Sequence, residues 1–206
     1  MAPSGVTGII LAAGASRRLG RPKQLLELGE RPILDIVLDH AAQSRLDSIV
    51  LIVGSESDRI VSAVRDYGQR VVFNPDYSTG QSTSLRRGIL AVPDDTSAVL
   101  VLLGDQPEVS AEIIDRLIAS FAESQGEIVM PSYAGVPGNP VLFRRSVFPE
   151  LLEITGDQGA RDVIKAKRDV VVHVPFADRS PPLDVDTEED YAVLKQVWAQ
   201  QPLTST

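Results

Sequence analysis

The chain has 206 residues, 43% hydrophobic and 23% charged, the composition of one soluble domain large enough to bury a substantial core. Its formal charge of -8 argues against a broad nucleic-acid-binding face, and zero cysteines exclude disulfides and thiolate metal sites. The longest unbroken apolar run, Ala98–Leu103, is far too short to cross a bilayer, and no basic segment precedes the first apolar run as a signal peptide would require, so a cytoplasmic location is expected.

Gly8-Ile9-Ile10-Leu11 reads as a short buried strand. It enters Leu11-Ala12-Ala13-Gly14-Ala15-Ser16-Arg17-Arg18-Leu19-Gly20-Arg21-Pro22-Lys23, where small residues let the backbone approach a ligand and Gly14 has access to angles closed to other residues. Main-chain N–H groups of such a turn can converge on an anion, with Arg17, Arg18, Arg21 and Lys23 supplying charge nearby. No acidic residue precedes Glu27, although 28 acids outnumber 20 bases, so this stretch reads as a local polyanion site or, on spacing alone, a solvated basic loop. It is neither a Walker A loop nor a dinucleotide fingerprint, because five residues separate Gly14 from Gly20 and Arg21-Pro22 follows.

Beyond the loop, strand and helix patterns alternate. Pro32 suits a first helical turn, with Leu34, Val37, Leu38 and Ala41 as its apolar stripe. Ser48–Val53 reads as a second buried strand, Ile60, Val61 and Val64 mark a second helix, and residues 71–73 a short strand. Ala98–Leu103 is continuous and apolar, as expected of a central strand covered on both faces. Ser110 is a natural N-cap for a helix carrying Ile113, Ile114, Leu117, Ile118 and Phe121. Residues 127–130, 141–143 and 170–174 are further strands. A last helix starts at Thr187, with Asp190 three residues on as a short capping box and Tyr191, Leu194, Val197 and Trp198 as its apolar positions. The pattern predicts an α/β fold: a three-layer, Rossmann-like arrangement with a mostly parallel central sheet and helices on both faces. One domain over residues 1–206 is expected, with fraying at about 1–5 and 202–206.

Open sheets of this kind bind ligands at the carboxyl ends of their strands. Gly104-Asp105-Gln106-Pro107 follows the central strand, and an exposed carboxylate at such a tip can hold a hard cation against phosphate oxygens or serve as a turn residue. In Asp184-Val185-Asp186-Thr187, alternation puts the two carboxylates on one side. Gly80-Gln81-Ser82-Thr83-Ser84-Leu85-Arg86 is a glycine-led polar loop entering a helix, able to bond a base edge or merely to cap the helix through Ser82. Arg86 and Arg87 read as helix surface, and His40 and His173 form no ligand cluster. No G-x-S-x-G motif supports a serine hydrolase.

The series Leu11-Ala12-Ala13-Gly14-x-Ser16-x-Arg18-x-Gly20-x-x-Lys23 resembles the signature of the nucleotidyltransferases of the molybdenum-cofactor group, most closely its cytidylyltransferases, and the resemblance runs through nearly the whole chain in order. It implies transfer of CMP from CTP to the phosphate of a molybdopterin acceptor, with Mg²⁺ as cofactor and a molybdenum hydroxylase as recipient of the product. By that resemblance Lys23, Arg18 and Asp105 are catalytic. Leu11, Ala12, Ala13, Gly14, Ser16 and Arg17 contact the nucleotide with Lys23, and Gly80, Gln81, Ser82 and Ser84 lie on the base side. Asp105 and Asp186 bind the metal, with Asp184 as a weaker candidate. Asn139, Asp157, Arg161 and Asp184 are expected on the acceptor side, although close members of the group often carry His at the position of Asn139. Arg161 could meet an acceptor phosphate or pair with a surface carboxylate.

Neighbouring readings share the fold. The guanylyltransferases of the group carry Gly where Ala13 stands. The methylerythritol phosphate cytidylyltransferases share Ala12-Ala13-Gly14 and Pro22-Lys23-Gln24 but have Asp-Ala-Ala-Arg where Gly104-Asp105-Gln106-Pro107 stands. A catalytically silent nucleotide sensor or chaperone for a molybdenum enzyme is the reading from another class. Retention of Lys23, Asp105 and Asp186 together argues against it.

Overall fold

The computed structural model describes residues 5–200, so the expected fraying at 1–4 and 202–206 lies outside the described residues. Gly5 is tied down: its carbonyl accepts the Ser97 N–H at 2.8 Å. The elements in chain order are β1 (Val6–Ala12), β2 (Glu27–Leu28), β3 (Arg31–Pro32), α1 (Ile33–Gln43), β4 (Ser48–Val53), α2 (Ser57–Ala63), β5 (Arg70–Phe73) and α3 (Gln81–Ala91). Then follow β6 (Ala98–Leu103), α4 (Ala111–Glu123), β7 (Ile128–Tyr133), β8 (Val136–Pro137), β9 (Val141–Arg144), α5 (Phe148–Glu153), α6 (Arg161–Ala166), β10 (Val171–Phe176) and α7 (Glu188–Gln200).

The main sheet runs in the order β10-β7-β9-β6-β1-β4-β5, with β8 paired to β7. β1 is parallel to both β4 and β6, β4 to β5, and β10 to β7. Only β9, antiparallel to β6 and β7, and β8 depart from the parallel rule. Strand alternation sorts the core into two layers. Ile10, Leu51, Leu100 and Leu102 pack under α1 and α4, while Ile9, Val50, Ile52, Val99 and Val101 pack under α3 and α5. Gly88 permits the second contact, since a Cβ there would sit 2.5 Å from the Ile9 side chain.

A third apolar cluster joins distant parts of the chain. Leu19, Leu26, Leu28, Ile33 and Ile36 pack with Val185 and Leu194, docking α7 and the segment before it against the stretch that follows β1. The capping box at α7 is reciprocal: Asp190 Oδ2 accepts the Asp186 and Thr187 N–H groups at 3.1 and 2.9 Å, and Thr187 Oγ1 accepts the Asp190 N–H at 3.1 Å.

Some local expectations are corrected. α2 buries only Ile60; Val61 is exposed and Val64 lies just past its end. Ser110 occupies the N-cap of α4, but its buried hydroxyl has no hydrogen-bond partner among the described residues. β7 and β10 extend past the expected ends to Tyr133 and Phe176, because these two rings pack together at 5.5 Å between centroids.

Candidate active site

The chain leaves β1 toward β4 on one side and returns through β6 on the other, so the crevice at the carboxyl ends of β1 and β6 is a topological switch point. The loop after β1 lies there. Its left-handed residues are Ser16 (φ 48) and Gly20 (φ 72); Gly14 does not use the conformational freedom expected of it. What Gly14 supplies is space, since nothing lies within 4 Å of where its Cβ would be. Ser16 closes the loop, its Oγ accepting the Lys23 N–H at 3.0 Å and its carbonyl accepting the Leu19 and Gly20 N–H groups. Leu19, buried in the third cluster, anchors the turn.

Gly104 brings the second functional element against the first. Its N–H donates to the Leu11 carbonyl at 3.0 Å, and a Cβ would lie 3.0 Å from that oxygen and 3.1 Å from the Ala12 methyl. Asp105 is thus held beside the loop and is buried, not the exposed tip carboxylate expected. The Lys23 ammonium sits 2.5 Å from Asp105 Oδ2 and 3.1 Å from Asp186 Oδ1. Asp186 also takes the Arg18 guanidinium, and Asp184 accepts from Gln106 Nε2 at 2.7 Å. Buried Val185 between them turns both carboxylates toward the crevice.

Burial works against the charge of Lys23, but Asp105 and Asp186 outweigh it and hold the ammonium above its ordinary pKa. Burial also pushes Asp105 upward; Lys23 opposes that rise and Asp184 reinforces it, leaving the carboxyl above its usual range. The Asp105 carboxylate therefore depends on a cation beside it. No group of three or more His, Cys, Asp or Glu suited to a metal exists among the described residues. Asp105 and Asp186, both within reach of one nitrogen, fit the small-cation pattern in which one or two carboxylates are completed by substrate phosphates and water.

These groups line a cavity of about 530 Å³. Of the residues expected at the site, Leu11, Ala13, Gly14, Arg17, Lys23, Gln81, Ser84, Asp105, Asn139, Asp157, Arg161, Asp184 and Asp186 line it. Ala12, Ser16, Arg18, Gly80 and Ser82 do not. Ala12 is buried beneath the loop, Ser16 is spent on closing it, and Arg18 stands 70% exposed outside the wall on Asp186. Ser82 is buried inside the first turn of α3, where Gly80 and not Ser82 is the N-cap, and its N–H is donated to the Gly156 carbonyl at 3.1 Å. Gly80 (φ 130) is fixed by the same contact, since a Cβ would lie 2.5 Å from that oxygen. The expected base-side and acceptor-side segments are therefore packed together, Asp157 Oδ1 accepting the Gln81 N–H at 3.3 Å.

Sequence reasoning missed several wall residues. Tyr77 packs where a Gly54 Cβ would be, 2.6 Å from its own Cβ. Leu85, Val101, Val141, Phe143 and Ile164, members of one apolar cluster, make part of the wall apolar. Gln24 lies under the loop, and only its place in Pro22-Lys23-Gln24, a polar residue before two leucines, hinted at it. Neither histidine is present in the wall; His40 Nδ1 donates to the Val109 carbonyl at 3.1 Å and His173 is exposed on β10.

Residues 8–171 match the family described as the MobA-like NTP transferase domain. A solved structure, Rv0371C in complex with manganese from Mycobacterium tuberculosis H37Rv, is 33% identical, with a TM-score of 0.83 over 94% of this chain and 99% of that one. The nicotine blue oxidoreductase of Paenarthrobacter nicotinovorans is 30% identical over 89% of this chain and 93% of its own length. The molybdenum cofactor cytidylyltransferase of Escherichia coli K12 is 24% identical over 96% and 99%.

Proposed function

The chain belongs to the MobA-like NTP transferase family, and from that premise we propose that, as a single domain, it moves CMP from CTP to the phosphate of a molybdopterin-type acceptor. An acceptor phosphate oxygen attacks the α-phosphorus in line, the bond from that phosphorus to the α–β bridging oxygen breaks, and pyrophosphate leaves. A phosphate monoester is already anionic near neutral pH, so the attack requires no general base, consistent with a cavity wall free of histidine. Alignment and charge neutralisation then carry the rate.

Lys23 offsets the charge of the triphosphate from the cavity wall, Arg18 adds positive charge from outside the wall, and the N–H groups of the loop after β1 hold its β- and γ-phosphates. Asp105 and Asp186 would hold Mg²⁺, which when bound neutralises charge on the phosphates and leaving group. The manganese complex of the mycobacterial relative supports a divalent ion in this role. Gln81, Ser84 and Ala13 face the base, and Asn139, Asp157, Arg161 and Asp184 face the acceptor. Asn139 is well anchored for this, its carbonyl accepting the buried Tyr133 hydroxyl at 2.7 Å. The apolar part of the cavity wall suits a flat heteroaromatic ring.

The observation that carries the reading is the Lys23 ammonium held between Asp105 and Asp186 at the switch point of the sheet. A molybdenum hydroxylase is the proposed recipient of the product, and the cytoplasm the proposed location; among the described residues no helix is long and apolar enough to cross a membrane. Pyrophosphate release across the four NTPs, with and without molybdopterin, tests the reading. Acceptor-dependent release with CTP supports it, a preference for GTP replaces the base, and no release from any NTP removes the transferase assignment.

A further inference from the structure

Gln24 is a glutamine where packing alone would place a leucine. It is 2% exposed, lies beneath the loop after β1 and faces the cavity. Its Nε2 donates to two main-chain carbonyls of that loop, Ala12 at 3.1 Å and Gly14 at 3.3 Å. Its Oε1 is buried with no hydrogen-bond partner among the described residues. An unpartnered buried oxygen is an uncompensated cost, so the side chain is not there for the core.

The two hydrogen bonds have a geometric consequence. In a trans peptide the C=O of one residue and the N–H of the next point in opposite directions. Drawing the Ala12 and Gly14 carbonyls toward Gln24 turns the Ala13 and Ala15 N–H groups away from it. Gln24 is buried while Gly14 and Ala15 are exposed, and buried Ala13 lines the cavity with them, so away from Gln24 is toward the open side of the loop. Among the described residues neither N–H has a backbone or side-chain acceptor. The intervening Ala13 carbonyl is held elsewhere, by the Ser55 N–H at 3.2 Å, which fixes the alternation.

We propose that Gln24 is the positioning residue of the anion site, aligning the Ala13 and Ala15 N–H groups on the phosphates of the nucleoside triphosphate. Gly14 completes the arrangement, because a side chain there would project into the space left open. Ser16, through the Lys23 N–H, secures the far end of the same loop, so that the N–H groups and the Lys23 ammonium are held in one frame. This rests on the nucleotidyltransferase reading and says which part of the nucleotide Gln24 serves.

The test is inhibition by inorganic tripolyphosphate, which carries the phosphates without a base, together with the KM for CTP and the melting temperature. Gln24→Met keeps the size and loses both hydrogen bonds. Gln24→Glu keeps the shape and sets a carboxylate against the two carbonyls. The expected result is a tripolyphosphate Ki and a KM for CTP raised at least tenfold in Gln24→Met and further in Gln24→Glu, with the acceptor KM unchanged and Gln24→Met still melting cooperatively. Folded variants with wild-type Ki would overturn the role of Gln24 while leaving the transferase reading intact. Failure of the wild type to bind tripolyphosphate or CTP would overturn both.

Discussion

Asp105→Asn changes one charge in the most buried ion pair of the site while keeping its shape. The wild-type Lys23–Asp105 contact is 2.5 Å, between side chains only 19% and 9% exposed. Breaking a buried pair on one side costs ~3–5 kcal/mol when the remaining charge is uncompensated. Here Lys23 keeps Asp186 at 3.1 Å, although that side chain is 36% exposed and its attraction is screened. The stability loss should fall to ~1–3 kcal/mol, the size of one hydrogen bond to a charged group, and the domain should stay folded. Activity should suffer more. The proposed metal ligand and the partner that holds Lys23 are removed together, and loss of a preorganised charge contact costs about a hundredfold or more in turnover. Acceptor-dependent pyrophosphate release, read beside a urea denaturation midpoint, separates the two effects. Full turnover of the folded variant at ordinary Mg²⁺ would take Asp105 out of the mechanism, and a midpoint shift without a turnover defect would make the pair purely structural.

On the proposed cytidylyl transfer the wild type should prefer CTP over GTP, and Ala13→Gly should narrow that preference without reversing it, because one methyl on the cavity wall is worth roughly 1–3 kcal/mol against a two-ring base; competition between the two nucleotides measures both. Arg161→Ala should raise the acceptor KM and leave CTP affinity alone, and the opposite split would move the segment before α6 to the nucleotide half of the cavity. Burial chiefly holds the His40 pKa below its ordinary value, so the unfolded chain binds its proton more readily than the folded one. That contribution to stability is present above about pH 6.5 and is lost as the pH falls below it; His40→Gln should flatten denaturation midpoints measured between about pH 5 and 7.

The parts of the site that a reader of the sequence can find are those carried by contiguous residues. The stretch from Leu11 to Lys23 and the Gly104-Asp105 tip each hold their chemistry within a few positions, and strand–helix alternation places both at one end of a sheet. Val185 between two aspartates was legible for the same reason, since period-two alternation is local. What was not legible depends on long-range packing. Ser82 looked free to cap or to read a base, and only the arrival of the Gly156 carbonyl, more than seventy residues on, commits its N–H. Gln24 and Tyr77 became wall residues because loops from β1 and β4 close over them. The left-handed turn at Ser16 was hidden because its glycine neighbour, Gly14, was the natural place to expect it.

The most direct measurement is the fate of radiolabel from α-³²P-labelled CTP incubated with the protein, Mg²⁺ and molybdopterin. Label should enter the molybdopterin product in equal amount with pyrophosphate, at a rate about a hundredfold or more lower in Asp105→Asn. Label remaining in CTP or appearing only as free CMP, with the acceptor unlabelled, would contradict the proposed transfer.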